Sequence, residues 1–191
     1  MEPTYTDDPG TRDMLAWQAG EEAAFDRLVV AYSPRLFALF TRFLGPVPER
    51  EDMVQETFLR VLRARASYQP TARFSTWLYR IAFNLSVNRS QRTRPTTSLD
   101  ASPSAPPAQP HDEPPDSHLE RDDVVRAVRA AIAALPETQR AALILARYEE
   151  LSFAEIAVVL GSTEKAVKSL VHRARENLRV ELAPFLPQLL P

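Results

Sequence analysis

Cysteine is absent from this chain of 191 residues, which removes disulfides, thiol nucleophiles and thiolate metal sites. Histidine is scarce, and His111, His118 and His172 are scattered, so no His-based metal cage and no cofactor is expected. Glycine is rare, at 4 residues, and none sits in a phosphate-cradling loop. No His lies near a Ser and an Asp in a catalytic motif, and the acids cluster where helices start or in a Pro-rich stretch. An enzyme is therefore not expected. No unbroken apolar run is longer than Ala141 to Ala146, far below the ~18 residues of a membrane span. The chain opens with acidic and polar residues, unlike a secretory signal. These absences predict a cytoplasmic protein with no membrane span, working by binding.

What is present is ample material for packed cores, with 45% apolar and 25% charged residues. At ~150 residues per domain the length allows one domain or two small ones. The net charge of −2 is uninformative, but its distribution is not. Counted from the sequence, residues 1–26 carry −6, residues 27–94 carry +8, residues 95–123 carry −6 and residues 124–191 carry +2. A basic body flanked by acidic segments points to a polyanionic partner; a solvated Arg-rich helical surface is the plainer alternative.

The composition breaks sharply once. Pro95, Pro103, Pro106, Pro107, Pro110, Pro114 and Pro115 lie among Ser, Thr and Ala, with Leu99 the one large apolar residue. Such a stretch cannot bury enough surface to offset its ordering entropy, so 94–116 is expected to be a flexible, extended linker able to span roughly 70 Å. Both flanks follow helical rather than strand periodicity. Phe25, Leu28, Val29, Tyr32, Leu36, Phe37, Phe40 and Phe43 form one stripe, with Pro34 expected to kink the helix or to start a new one capped by Ser33. A helix from near Pro48 to Ala64 follows, with Glu49, Glu51 and Asp52 in its first turn as the helix dipole favours. Another, capped by Ser75 or Thr76, runs to about Arg92. Beyond the linker, Ser117 with Glu120 and Ser152 with Glu155 read as capping boxes, Pro136 as a first helical residue, and Gly161 as a helix stop. The fold class is all-α: an acidic segment 1–21, a helical domain 22–93, the linker 94–116, a second helical domain 117–182 and a tail 183–191.

Residues 151–160 and 163–182 make two short helices joined by a Gly turn, a helix-turn-helix. The second carries Val167, Leu170, Val171, Ala174 and Leu178 on one face. Lys165, Lys168, Ser169, His172, Arg173, Arg175 and Arg179 lie on the other. A helix fits the major groove, where such a face meets base edges and phosphates; a helical hairpin with a solvated basic face is the alternative. The helix from Thr76 has a core stripe of Trp77, Leu78, Ile81, Ala82 and Leu85, while Arg80, Asn84 and Asn88 recur every four residues on another face. Before it, Ser67 to Phe74 sets aromatic rings beside Arg73, a composition suited to unstacked single-stranded bases and equally to core packing over a helix. In the helix from Pro48, Val54, Phe58, Val61 and Leu62 should face the core. Asp52, Gln55, Glu56, Leu59 and Arg63 form a mixed stripe able to dock on a partner helix or simply to face water. Asn84-Leu85-Ser86 and Asn88-Arg89-Ser90 match a glycosylation sequon but fall inside a helix.

These pieces together resemble a bacterial RNA polymerase sigma factor of the extracytoplasmic-function (ECF) type. The likeness is carried by Glu51-Asp52-Met53-Val54-Gln55-Glu56-Thr57-Phe58, by Phe74 to Leu85, and by Leu151 to Arg179. It implies a region 2 bundle and a region 4 helix-turn-helix. Asp52, Gln55, Glu56 and Leu59 would dock on core RNA polymerase. Tyr68, Arg73, Phe74, Trp77, Arg80, Asn84 and Asn88 would capture and open the promoter's minus-ten element. Lys165, Lys168, Ser169, His172, Arg173 and Arg175 would read the minus-thirty-five element. Core polymerase and promoter DNA are the implied partners, with an anti-sigma factor as a further candidate. The chain departs from the family at Thr163 to Ala166, Leu170 and Asn88, which bears on the promoter sequence it reads. A helix-turn-helix regulator acting alone explains only the second domain. A sigma mimic that captures an anti-sigma protein should lack the DNA-facing groups retained here.

Overall fold

Asp8 starts the first helix. Its carboxylate Oδ2 accepts from the Thr11 amide at 2.9 Å, and Pro9 follows it at the first helical position, where no amide hydrogen is needed. In this computed structural model, which describes residues 5–45, 47–93 and 118–185 (side chains of 89–93 and 118–122 excepted), the helix is α1, Pro9–Gln18. Within the acidic segment 1–21, Met14 and Trp17 are buried in the core, and α1 packs along α2, Glu22–Leu44.

Pro34 lies inside α2, which neither ends nor restarts there. The Ser33 hydroxyl donates back to the Val29 carbonyl at 2.7 Å, so Ser33 is not a cap. A mid-helix proline costs about 3 kcal/mol. The stripe of Leu28, Tyr32, Leu36, Leu39, Phe40 and Phe43, buried on both sides of it, holds the helix together. α3 is Arg50–Ala64, with Glu51 and Asp52 in its first turn and Met53, Thr57, Phe58 and Val61 buried. Leu62, expected in the core, is 42% exposed.

A 3-10 turn, Arg65–Ser67, leads towards α4, Phe74–Thr93. Neither Ser75 nor Thr76 caps α4. The Phe74 amide donates to Asp8 Oδ2 and Thr11 Oγ1, both at 3.2 Å, so the groups that start α1 also satisfy the first amide of α4. The Arg65 guanidinium, 4.5 Å above the Trp17 ring and 2.9 Å from Glu22, ties the intervening turn to α1 and α2.

Beyond the linker come α5 (His118–Ala134), α6 (Glu137–Tyr148), α7 (Phe153–Leu160) and α8 (Glu164–Glu181). Pro136 is the N-cap of α6 rather than its first residue. The Ser152 and Glu155 capping box is present in both halves, and Gly161 stops α7 in the left-handed region with φ 59. Thr163 Oγ1 accepts from the Ala166 amide at 3.2 Å and starts α8. Ser117 and residues 94–116 lie outside the described residues, as do the calls made on them. The buried side chains of both bundles form one continuous cluster. α4 lies against α7 and α2 against α6, so the two domains read from the sequence meet along a shared seam. Among the described residues no helix is long and apolar enough to cross a membrane.

Candidate nucleic-acid interface

α8 sorts its residues cleanly. Val167, Val171 and Ala174 are buried and Leu170 and Leu178 half-buried, while Lys165, Lys168, Ser169, His172, Arg173, Arg175 and Arg179 are exposed. Lys168 pairs with Glu164 at 2.7 Å and lies 5.9 Å from the Phe153 ring centre, so α8 is braced against the start of α7. Arg173 and Ser169 border a concavity shared with Ser162, Gly161 and Thr138. At 18 residues the helix is ~27 Å long, and a helix of this kind enters a major groove ~12 Å wide.

α4 behaves differently. Arg80, Asn84 and Asn88 are exposed along one face, as their spacing predicts, and Trp77 is half-buried. Tyr68 and Phe74, expected to meet unstacked bases, are core residues, at 6% and 0% exposure. The Tyr68 ring lies edge-on to Trp77 at 4.9 Å, and Phe74 is 5.0 Å from Tyr32. Three aromatic rings in contact bury more apolar surface than any one offers outside, which is why the core reading of this loop holds for Tyr68 and Phe74. Both pack against the half-buried Trp77, Phe74 at 5.7 Å between ring centres. Burial, with the Asp8 carboxylate nearby, pushes the Tyr32 phenol up to about 12.

On α3, Asp52, Gln55 and Leu59 are exposed and Glu56 is half-buried, bonded to Arg60 at 3.0 Å and 3.6 Å from Arg63. Leu59 and Leu62, 44% and 42% exposed, leave two apolar side chains on this otherwise polar face.

The sequence did not disclose the residues at the seam. Thr76 and Tyr79 on α4 are buried. The Tyr79 hydroxyl donates to Glu149 Oε2, and Arg42 lies 3.7 Å from Glu149 and 4.3 Å above the Tyr148 ring. Burial, then the bond to Glu149, raises the Tyr79 phenol well above its ordinary range. Thr76 bonds Glu155 at 3.5 Å, and Arg73 is 3.6 Å from the same carboxylate. Leu39, Phe43, Phe83, Ile144 and Leu145 supply the apolar floor. The available signal was a second stripe on α4, Thr76–Tyr79–Phe83–Ser86 at helical spacing.

Comparison with known proteins agrees with this arrangement. Residues 28–96 match the model for sigma-70 region 2, and residues 125–178 match sigma-70 region 4. The RNA polymerase sigma-H factor of Pseudomonas aeruginosa is 35% identical over 88% of this chain and 91% of that protein. The ECF RNA polymerase sigma factor SigW of Bacillus subtilis is 35% identical over 85% of this chain and 91% of its own length. Among solved structures, CnrH in complex with the cytosolic domain of CnrY superposes with TM-score 0.69 at 25% identity, covering 93% of this chain and 99% of that one. Regions 2 and 4 thus follow one another along this chain, and these relatives align with most of its length. The chain belongs to the ECF branch of the sigma-70 family, the non-catalytic sigma factors that direct RNA polymerase to initiate transcription at specific promoters.

Proposed function

We propose that this sigma factor divides initiation among three helices. α3 docks on core polymerase through Asp52, Gln55, Glu56 and Leu59, where an exposed leucine among polar groups suits a partner helix. α4 and the segment before it capture the minus-ten element. Arg80, Asn84 and Asn88 meet the opened strand, Arg73 and Trp77 flank it, and Tyr68 and Phe74 hold the platform from beneath. α8 reads the minus-thirty-five element through Ser169, His172 and Arg173 at base edges, while Lys165, Lys168 and Arg175 hold phosphates. No covalent step is involved. Opening is favoured because bases out of the stack gain contacts that paired bases cannot make.

The observation carrying this reading is the division of α8 into a buried apolar face and an exposed face that carries Lys165, Lys168, Ser169, His172, Arg173, Arg175 and Arg179. The similarity to CnrH, seen with the cytosolic domain of CnrY, supports a regulatory protein partner of the anti-sigma kind. Polymerase and promoter as partners support a cytoplasmic location. Run-off transcription with purified core polymerase tests the assignment. Promoter-specific transcripts should require this protein, and they should be lost when either element is scrambled. Initiation indifferent to both elements would contradict it.

A further inference from the structure

α1 reaches both ends of the segment that leads into α4. At its start, Asp8 Oδ2 accepts from the Thr11 amide at 2.9 Å, the Thr11 hydroxyl at 3.0 Å and the Phe74 amide at 3.2 Å. The Thr11 hydroxyl oxygen accepts from that same Phe74 amide, and Thr11 is fully buried. At its end, the Gln18 side-chain amide donates to the carbonyls of Arg65 and Tyr68 at 2.5 and 3.1 Å, and the Arg65 guanidinium donates to the Trp17 carbonyl. A helix of 10 residues is ~15 Å long, so α1 is a strut between two anchor points, Tyr68 and Phe74.

What lies between the anchors is irregular. Residues 68–73 belong to no helix, and a bond from the Thr71 amide to the Gln69 carbonyl at 2.9 Å turns the backbone. Gln69, Thr71 and Arg73 are exposed there. Ordering such a segment costs conformational entropy. Holding it by both ends shifts that cost from binding to folding and leaves the segment preorganised for its ligand. Gly10 shows how closely the strut is fitted. A Cβ there would lie 2.4 Å from the Tyr32 hydroxyl oxygen and 2.9 Å from the Phe74 ring. The first turn of α1 is thus pressed against α2 and against the first residue of α4.

We propose that α1 is a positioning element for minus-ten capture. Asp8, Thr11 and Gln18 touch no nucleic acid. They set the path of residues 68–73 and the start of α4, and so the places at which Arg73 and Trp77 flank the opened strand. The proposal rests on the assignment of the minus-ten element to α4 and the segment before it.

The test uses the full chain bound to core polymerase and two labelled single strands. One carries the minus-ten element of a promoter it transcribes, and the other has that element scrambled. The readout is the ratio of their dissociation constants. A loss of stability alone scales both constants by the same folded fraction and leaves the ratio as it was. Asp8→Ala and Gln18→Ala should each cut the preference for the native strand at least fivefold. Asp8→Asn, which keeps a side-chain oxygen for the Thr11 and Phe74 amides, should stay within twofold of the parent. An unchanged ratio in either alanine variant overturns the proposal, and so does an equal loss in Asp8→Asn and Asp8→Ala. Arg80→Ala with Asn84→Ala separates the two claims. If that pair also leaves the ratio unchanged, the assignment of α4 fails and the proposal with it. If the pair lowers the ratio and the α1 variants do not, the positioning role alone fails.

Discussion

The two surfaces proposed to read the promoter are built in opposite ways. α8 carries the groups proposed to face DNA on an exposed side and its packing groups on the other. The surface on α4 mixes the two along the chain, for Tyr68 and Phe74 are core while Arg73, Arg80 and Asn84 are exposed. Duplex read in a groove asks only for a preformed face, whereas captured single strands need a rigid platform, and on the proposed reading the hydrophobic core serves as that platform. Substitutions on α8 should accordingly separate function from stability, and substitutions around α4 should not.

Phe74→Ala gives the largest effect. Removing a fully buried ring should cost about 3–5 kcal/mol and lower the melting temperature by roughly 10 °C, with initiation lost as well. A thermal melt showing no change would place Phe74 outside the core and break the contrast. The buried aromatic cluster also sets an alkaline limit. The Tyr32 phenol, raised to about 12 in the folded chain, has an unfolded value of ~10. Its contribution is complete below pH ~10 and is lost as pH rises through about 12, because the unfolded chain gives up the proton first. Stability measured by denaturant titration should fall over that window, and Tyr32→Phe should flatten the fall.

Arg173→Ala sharpens the other side of the comparison. Its stability should stay within ~0.5 kcal/mol of the parent, while promoter-specific initiation drops by the ~1–3 kcal/mol typical of a base contact, about tenfold. A melt and a polymerase pull-down, both unchanged, establish that the loss is in reading. Smallest is the effect of Gln55→Ala with Leu59→Ala, at exposed positions, which should weaken polymerase capture a few-fold in competition with another sigma factor and leave the melt alone.

The carboxy-terminal half was legible because its signals are local. Ser152 and Glu155 are three residues apart, Gly161 ends its own helix, and the faces of α8 follow from a period of 3.6 residues. The amino-terminal half hid what depends on distant partners. Asp8 caps its own helix and also meets the Phe74 amide, a pairing across the sequence that no short window contains. Pro34 breaks a local rule that flanking burial overrides. The exposed face of Arg80, Asn84 and Asn88 could be read from spacing, but whether Tyr68 and Phe74 point out or in could not, since aromatic rings suit both settings. The seam through Glu149 and Glu155 left only the Thr76–Tyr79–Phe83–Ser86 stripe as a trace.

The division of promoter reading between α4 and α8 is tested most directly by crossing variants with templates in run-off transcription. Arg173→Ala and the pair Arg80→Ala with Asn84→Ala would each be assayed on the native promoter, a scrambled minus-thirty-five element and an altered minus-ten element. Arg173→Ala should blunt sensitivity to the minus-thirty-five change alone, and the α4 pair should blunt sensitivity to the minus-ten change alone, the coupling expected of direct partners. Full retention of both sensitivities in both variants would contradict the account.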